Sequence, residues 1–355
     1  MTLPRPPRKS ATVADVARAA GVSKATAARV LGGYGTVSFE RRAAILAAAE
    51  RLDYRPNELA RTMATGRSGT IGVVVGDIEN PFFGSVVRGI SDEAKARGFG
   101  VLLSNSGEDV AEEQDAVSML VNKRVDGLIV APASSRDKAH LTDALSLGLP
   151  LVLVDREADG LDLDAAIADH RDAARRAMRL LVAKGHRRIA YVTASHLPGP
   201  RFAGVETIGL TTVRQRIEGF LAEAEAAALP DPARFLRFGA SSRAAAREVL
   251  SELLREPQPP SAILASDSVI AIEVLRTAKA LGLRIPGDLS LVTFDDAGWM
   301  SAASPTVTVL AQPSHALGSQ AMRMLAERIA GRAEAERLVL PSELIERESV
   351  AAPAD

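Results

Sequence analysis

Two series of short apolar segments, separated by helical stretches, constrain the fold of this chain more than any other feature. The segments lie at 70–76, 99–105, 126–132 and 150–155 in the first series and at 187–193, 261–266 and 289–295 in the second. Segments that are apolar on both faces are typical of central parallel strands covered by helices. Two such series predict two doubly wound α/β lobes, with a small-molecule site in the cleft between them, at the carboxyl ends of the strands.

A helical region precedes the lobes. Thr12 followed by Asp15 has the pattern of a capping box, and Gly21 ends this first helix. Ser23 can then cap a second helix, and Ser38 can start a third. The short connection between the first two helices has the spacing of a helix-turn-helix motif, whose second helix enters the major groove of DNA.

The charge of the chain is divided unevenly. Residues 1–67 carry 12 Lys and Arg against 5 acidic residues, a net charge of +7, whereas the remaining 288 residues carry −8. A basic region on an acidic protein favours contact with a polyanion, because phosphate neutralisation provides most non-specific nucleic-acid affinity. The outer face of the second predicted helix contains Lys24, Ala25, Ala28 and Arg29. Pattern and charge together predict nucleic-acid binding.

The segment after these helices is predicted to be a linker that folds only in the presence of a partner. Pro56 and Asn57 can open a helix there and Gly66 can close it, which leaves roughly two turns. Isolated helices shorter than about 12 residues are marginal in water. We therefore expect this segment to become helical only when a partner holds it.

Several classes of protein are not expected. With 355 residues and no cysteine, the chain is long enough for two or three domains and has no disulfides or thiolate metal sites. No secretory signal and no apolar stretch long enough for a membrane span occur, so the cytoplasm is expected. The histidines have no metal-ligand spacing, and no nucleophile-elbow or phosphate-loop motif is present, so we expect no enzyme, metal or cofactor.

A series of motifs runs through the chain in a fixed order. They are TVADVARAAGVSKAT, VSFERRAAILAAAERLDYRPNELAR, GRSGTIGVVV, NPFF, VDGLIV, LVDR, KGHRRIAYV, LVTFDD and TVTVLAQP. In this order they resemble the lactose-repressor (LacI/GalR) family of bacterial transcription regulators, over residues 11 to about 348. The resemblance implies an all-α helix-turn-helix DNA-binding head and an α/β body of two lobes with doubly wound parallel sheets, like type I periplasmic binding proteins.

The resemblance also implies domain bounds and a function. The domains are a disordered basic tail at 1–10, the helix-turn-helix domain at 11–55, a hinge helix at 56–67 and an effector-binding body at 68–348. The first lobe is expected at 68–168 with 298–328, and the second at 169–297 with 329–348. The implied function is a homodimeric repressor whose affinity for operator DNA is controlled by a small-molecule effector, a sugar or sugar derivative.

The DNA contacts follow from the same resemblance. Lys24, Ala25 and Arg29 fall where the family contacts bases, and Ser23 and Thr26 fall where it contacts phosphates. This helix departs from the family pattern, because Ala28 lacks a phosphate-contacting hydroxyl, Gly32 replaces a common asparagine and Ala25 offers only a methyl group. The operator sequence therefore cannot be inferred from relatives.

The implied hinge helix supplies two further contacts. Asn57 opens it, and Met63 falls where the family inserts an apolar side chain between base pairs in the minor groove. The alternative for Met63 is a filler of a small hydrophobic core.

The effector site implied for the cleft combines aromatic and charged residues. Aromatic rings suit the apolar C–H faces of a sugar, and charged side chains at strand ends make charge-assisted hydrogen bonds to its hydroxyls. The expected residues are Asn80, Phe82, Phe83, Asp155, Arg156, Arg214, Arg216, Ser266, Asp295 and Gln312.

Some of these residues have a second interpretation. Asn80 alternatively forms only a turn before the following proline, and Asp155 and Arg156 alternatively pair with each other. Arg214 alternatively replaces Arg216 as the effector contact.

Three other residues near the predicted cleft also leave two roles open. Asp267 is expected to cap a helix rather than bind ligand, and His186 is expected to be structural. Trp299 either borders the site or packs in the core. For the whole chain, the alternatives are a sugar-binding protein of a transport system and a sugar-processing enzyme, which the basic head and the missing catalytic motifs disfavour.

Overall fold

The structure, a computed structural model, describes residues 11–32, 35–54, 67–197, 199 and 202–354. Internal contacts divide the chain into two units, a head that ends at Gly69 and a body that begins at Thr70. The predicted basic tail and most of the predicted hinge, with Asn57 and Met63, lie outside the described residues. Within the described part of the chain, no helix is long and apolar enough to cross a membrane.

The described residues of the head, 11–32, 35–54 and 67–69, form the three predicted helices. They are α1 (Val13–Ala19), α2 (Lys24–Gly32) and α3 (Phe39–Arg51). The predicted capping box is present, because the Thr12 Oγ1 accepts from the backbone N–H of Asp15 while the Asp15 carboxylate accepts from the backbone N–H of Thr12. The buried side chains that hold the helices together are Val16, Ala17, Ala27, Ile45, Ala48 and Ala49.

The body alternates strands and helices along the chain. Its strands are β1 (Thr70–Val75), β2 (Gly100–Asn105), β3 (Leu128–Val130), β4 (Leu151–Val154), β5 (Asp164–Ala168), β6 (Ile189–Val192), β7 (Leu236–Arg237), β8 (Ala262–Ala265), β9 (Ser290–Phe294), β10 (Thr308–Ala311), β11 (Arg337–Leu340) and β12 (Glu343–Ile345). Its helices are α4 (Pro81–Ala96), α5 (Val110–Asn122), α6 (Ala139–Ser146), α7 (His170–Ala183), α8 (Thr211–Ala226), α9 (Arg243–Leu254), α10 (Ser268–Ala280) and α11 (Ser314–Ile329).

The two sheets have matching topologies, which confirms the doubly wound α/β prediction. The first has the order β11-β5-β4-β3-β1-β2 and the second the order β12-β10-β9-β8-β6-β7. In both sheets the first strand in sequence lies between the second and the third, so the strand order reverses there. The central strands are parallel and fully buried, whereas β12 pairs antiparallel with β10. Ligands of such sheets bind beyond the strand ends at the reversal point.

The chain passes between the lobes three times, but the second and third crossings lie later in the sequence than the predicted lobe bounds placed them. It crosses after β5, after β10 and between β11 and β12. Residues 298–311 were expected in the first lobe, but β10 pairs with β9 and continues the second sheet. Residues 329–340 were expected in the second lobe, but β11 pairs with β5 and extends the first sheet.

Helix α11 returns to the first lobe, where it packs closely on α4. Two glycines make this approach possible. A Cβ added at Gly89 would lie 2.0 Å from the backbone oxygen of His315, and one added at Gly318 would lie 1.9 Å from that of Val86. A side chain at either position would therefore force these helices apart.

Strand β2 differs from its prediction as a covered central strand. It lies at the edge of the first sheet. Leu102 is 41% exposed and Leu103 is 39% exposed, because an edge strand has a neighbour on one side only. The apolar sequence of β2 is therefore not explained by burial within this chain.

Candidate nucleic-acid interface and effector site

Helix α2 presents its predicted contact residues on one surface. Lys24, Ala25 and Arg29 are exposed, while Ala27 is buried against the other helices of the head. Ser23 caps this helix: its Oγ accepts from the backbone N–H of Thr26 at 3.1 Å and lies 2.8 Å from the Thr26 Oγ1. The start of the helix thus combines a positive dipole end, a lysine and two hydroxyls.

This surface can bind DNA by two kinds of contact. Amide groups and hydroxyls at a helix N-terminus suit phosphate oxygens. Lysine and arginine can donate to guanine edges in the major groove, whereas the methyl group of Ala25 offers only apolar contact with thymine. The polar recognition of bases by α2 therefore depends mainly on Lys24 and Arg29.

In the body, several predicted effector residues follow the carboxyl ends of strands. Asp155 follows β4 of the first sheet, and Ser266, Asp295 and Gln312 follow β8, β9 and β10 of the second. All but Gln312 are buried. Asp155 and Asp295 both have a left-handed backbone, with φ of +66° and +68°. The two sheets thus place matching aspartates at the carboxyl ends of equivalent strands, β4 and β9.

Arg216, which lies on α8, is the central residue of the site. Its Nη1 donates to the backbone oxygen of Ser266 at 2.7 Å, and its Nη2 donates to the Gln312 Oε1 at 3.3 Å. The guanidinium carbon lies 3.9 Å from the centroid of the Phe294 ring. The guanidinium is therefore held by neutral acceptors and by the face of one aromatic ring. Its Nε has no hydrogen-bond partner in the described part of the chain.

Asp295 and Gln312 form the second-lobe wall with Arg216. The Gln312 Nε2 donates to the Asp295 Oδ1 at 2.6 Å. Burial, with smaller contributions from the charges of Asp267 and Asp155, raises the pKa of Asp295 to about 7, although Arg216 and the hydrogen bond from Gln312 lower it. A hydroxyl donor placed here would stabilise the ionised carboxylate that burial penalises.

Arg156 is neutralised within the first lobe. Its Nη1 and Nη2 donate to the two carboxylate oxygens of Glu108 at 2.5 and 2.7 Å. Its Nε also lies 3.4 Å from the Asp155 Oδ2, so the predicted alternative of a pair between these neighbours is present. Glu108 was not predicted, because it is 48 residues away in sequence and no local motif marks it.

One carboxylate oxygen of Asp155 remains available to accept a hydrogen bond from a ligand. Its Oδ1 is buried and has no hydrogen-bond partner among the described residues. Burial raises the pKa of Asp155, against the charges of Arg156 and Arg216, which lower it. A ligand hydroxyl that donates to this oxygen would satisfy it.

Arg214 does not join this group. Its guanidinium pairs with both carboxylate oxygens of Asp159, at 2.7 and 3.1 Å, and Asp159 also accepts from the Ser135 hydroxyl. Of the two interpretations that the sequence leaves open, these contacts favour Arg216 as the effector contact, with Arg214 as a link between α8 and the first lobe.

The predicted residues after β1 have mainly structural contacts. The Asn80 Oδ1 accepts from the backbone N–H of Phe82 at 3.0 Å and caps α4, which is the simpler of its two interpretations. Phe82 and Phe83 are buried in the core of the first lobe and contact each other edge to face. The Phe83 ring also lies 5.5 Å from the guanidinium carbon of Arg156, so this ring reaches the effector residues.

Two further alternatives are resolved by hydrogen bonds. Asp267 caps α10, since its Oδ1 accepts from the backbone N–H groups of Val269 and Ile270. Its Oδ2 accepts from the Ser266 hydroxyl at 2.8 Å, so Ser266 faces this cap. His186 contacts the Ser261 Oγ and the Ala351 backbone oxygen, a structural role.

His170 is a contact that the sequence did not reveal. Its Nδ1 lies 3.3 Å from the Arg216 Nη2, and its Nε2 lies 3.2 Å from the backbone oxygen of Asp155. These partners are 46 and 15 residues away in sequence, so no motif could have connected them. Across the described ranges, no group of three or more His, Asp or Glu side chains has the arrangement of a metal site.

Comparison with known proteins gives matches for both units of the chain. Residues 12–57 match the family model "Bacterial regulatory proteins, lacI family", and residues 178–350 match that of a periplasmic binding protein-like domain. The transcriptional repressor PurR of Proteus mirabilis (strain HI4320) is 30% identical over 345 residues, covering 96% of this chain and 97% of the relative.

Solved structures give the same result. A lac repressor dimer bound to operator and the anti-inducer ONPF has a TM-score of 0.82 and 27% identity, covering 97% of this chain and 100% of that one. A putative ribose operon repressor from Burkholderia thailandensis has a TM-score of 0.69 and 33% identity, covering 79% and 99%. The chain therefore belongs to the lacI family of bacterial regulatory proteins, as a DNA-binding transcriptional repressor with an effector-binding body like that of the lac repressor.

Proposed function

We propose that the protein is a homodimeric, sequence-specific repressor in the cytoplasm whose operator affinity is controlled by a sugar or sugar derivative bound between its two lobes. The observation that carries the proposal is the arrangement around Arg216. Among the described residues, the buried Arg216 guanidinium has an unpartnered Nε and the buried Asp155 carboxylate has an unpartnered Oδ1. Together they provide a donor and an acceptor for neighbouring hydroxyls. Vicinal hydroxyls, which both donate and accept, fit such a site.

The effector contacts follow from this arrangement. We assign Asp155, Arg156, Arg216, Asp295 and Gln312 to the polar edges of the ligand, with Phe83 beside Arg156. Ribose is the first candidate, because a similar structure is described as a putative ribose operon repressor. Asn80, Phe82 and Ser266 act indirectly, through the cap and core contacts described above.

The DNA contacts are assigned to α2 and to the segment 56–67. Ser23 and Thr26 are assigned to phosphates, and Lys24, Ala25 and Arg29 to base edges. Asn57 and Met63 remain predictions, since they lie outside the described residues. In this proposal, effector binding changes the orientation of the lobes, and the segment 56–67 passes that change to the DNA-binding helices.

Exposed apolar residues at the edge of the first sheet support a homodimer. Leu102 and Leu103 are exposed on β2, and the backbone N–H of Ile78, itself 52% exposed, donates to the side chain of Asn105 at the end of that strand. Met119, which is 41% exposed, lies on α5, and this helix packs against β2. Several exposed apolar side chains around one edge strand support an interface there, and a similar structure is of a dimer.

The effector proposal can be tested by a thermal-shift screen of sugars and sugar alcohols that includes D-ribose. We expect at least one compound to raise the unfolding temperature and to change the affinity for DNA from upstream of the gene. A sugar that binds while no DNA complex forms would instead support the transport alternative. Specific DNA binding with no response to any sugar would contradict the assigned effector class.

The dimer can be tested by light scattering after size-exclusion chromatography. Leu102→Glu should convert dimer to monomer, because it places a charge in the apolar patch. Leu147→Glu is the matched control, since Leu147 is 70% exposed on the C-cap of α6, which is not part of the patch. A native chain that is monomeric at micromolar concentration would contradict the proposal.

A further inference from the structure

His170 joins the two walls of the effector site. It is the first residue of α7, directly after the chain crosses from the first lobe to the second, and its side chain is 2% exposed. One ring nitrogen lies against Arg216 of the second lobe and the other against the backbone oxygen of Asp155 of the first lobe. The ring is therefore a direct connection between Arg216 and the opposite lobe.

The chemistry of the partners fixes the proton on this ring. A guanidinium can only donate and a carbonyl oxygen can only accept. The Nδ1 must therefore accept from the Arg216 Nη2, and the Nε2 must carry the proton that it donates to the Asp155 oxygen. Burial, together with the positive charge of Arg216, holds the pKa of His170 well below its usual value. The ring is thus a neutral bridge with one defined tautomer.

The other contacts of Arg216 also lead to a crossing. Its partner Gln312 lies directly after β10, where the chain returns to the first lobe. The residue before His170, Asp169, accepts from the backbone N–H of Ser342 at 2.7 Å, and Ser342 lies in the third crossing. A movement of the guanidinium therefore changes its hydrogen bonds to His170 at the first crossing and to Gln312 at the second. The third crossing is bonded to Asp169, the residue before His170.

We propose that His170 is a positioning residue that orients the Arg216 guanidinium towards the cleft and transmits its displacement by an effector to the first lobe. The proposal rests on the proposed function only in taking Arg216 as the effector contact. The bridge itself involves only residues of this chain, so it can be measured without added effector or DNA. His170 need not touch the ligand for this role.

The first test is nitrogen NMR of the full chain with labelled histidine, without effector or DNA. The His170 signal is assigned by its loss in the His170→Gln variant. We expect a neutral ring with the proton on Nε2 that does not titrate between about pH 5.5 and 8. A proton on Nδ1, or protonation near the usual pKa of histidine, would overturn the bridge.

The second test is hydrogen–deuterium exchange of the segment 153–158, which contains Asp155. His170→Phe keeps a ring but removes both hydrogen bonds, whereas His170→Gln keeps one donor and one acceptor. We expect the Phe variant to exchange about fivefold faster in this segment, the effect of losing a hydrogen bond between neutral groups, and the Gln variant to stay within about twofold of native.

Two controls separate positioning from general destabilisation. His186→Phe removes a buried histidine with equally defined hydrogen bonds, to Ser261 and Ala351, and should leave the segment 153–158 unchanged. Exchange in β8 reports on the core of the second lobe. Equal exchange in the Phe and Gln variants, or a rise of similar size in β8, would overturn the positioning role. Failure of the native chain to bind DNA or sugar would instead overturn the proposed function and leave the bridge in place.

Discussion

Helix α2 of the head and the cleft of the body both present cationic side chains, but in opposite physical settings. Lys24 and Arg29 are exposed, whereas Arg156 and Arg216 are buried and held by hydrogen bonds. Exposed cations bind a polyanion by releasing counterions, so their contribution depends strongly on salt. Buried and oriented donors bind a small ligand with little dependence on salt. The difference indicates which partner each region can bind.

Loss of Arg216 should have the largest effect and should be confined to the cleft. Arg216→Met should weaken binding of the sugar found by the screen by about 30-fold or more, because truncating a buried, hydrogen-bonded charged partner costs about 2–5 kcal/mol. Operator affinity without effector should stay within about twofold of native, a change of under ~0.5 kcal/mol. Titration calorimetry and gel shift measure the two quantities.

Arg214→Met is the matched control for this prediction, since the two arginines lie two residues apart and both contact neighbouring residues. Because Arg214 pairs with Asp159 rather than with the effector residues, its loss should reduce sugar affinity far less. Equal losses in both variants would mean that the two arginines do not differ in role.

The pH dependence of the unfolding free energy should show that the Asp295 carboxyl is buried in the cleft. The pKa of Asp295 is about 7 in the folded chain, against 3.8 for an ordinary aspartate. Between these values the folded chain holds a proton that the unfolded chain has lost. This carboxyl therefore stabilises the fold most below the lower value, and the stabilisation falls by about 1.4 kcal/mol per pH unit as pH rises towards 7.

Asp295→Asn removes that titration. The stability of this variant relative to native should therefore rise between about pH 5 and 7 and then remain level, as measured by thermal unfolding. A difference that does not change over this range would show that Asp295 is ionised at the lower pH, and the buried setting described for the cleft would be wrong.

Substitutions in α2 should have a smaller effect, on DNA alone. Lys24→Ala and Arg29→Ala should each weaken operator binding by about tenfold and relax the preference for the base that is contacted, because both residues are assigned to base edges. Arg88→Ala is the control, because Arg88 is an exposed arginine of the body. If Arg88→Ala has the same effect, binding reflects total charge rather than α2.

The smallest predicted effect concerns the cap of α2. Ser23→Ala removes the acceptor of the Thr26 N–H and should cost about 1 kcal/mol of head stability, whereas Ser23→Gly should cost only a few tenths. Chemical denaturation followed by circular dichroism of the helices would measure this difference. Identical stabilities for the two variants would mean that the hydroxyl does not cap the helix.

Much of the fold could be predicted because its signals are local. The strand at Ala262–Ala265 is a short apolar run, and the capping box joins Thr12 to Asp15, only three positions further along the chain. Strand β5 has the sequence DAAIA, which is too rich in alanine to be recognised as a strand. The third crossing was predicted too early, before residue 329, for a related reason: β11 is short and belongs to the first sheet only through its pairing with β5.

Several residues of the site could be predicted from the sequence, but their hydrogen-bond partners could not. Arg216, Asp295 and Gln312 were expected from motif and resemblance, whereas Glu108 and His170 contact the site from distant parts of the sequence. Their roles follow from hydrogen-bond geometry, which no spacing encodes. The exposure of Leu102 likewise depends on strand order, because the same segment in a central position would be buried.

The most direct test of the account is a gel-shift titration of the native chain against DNA from upstream of its gene, at several salt concentrations, beside unrelated DNA of equal length. We expect a specific complex whose log affinity falls linearly with log salt, with a slope of about −0.9 for each phosphate contacted, and weaker binding to unrelated DNA. Equal affinity for both DNAs at every salt concentration would contradict the assignment of the head as a sequence-specific recognition module.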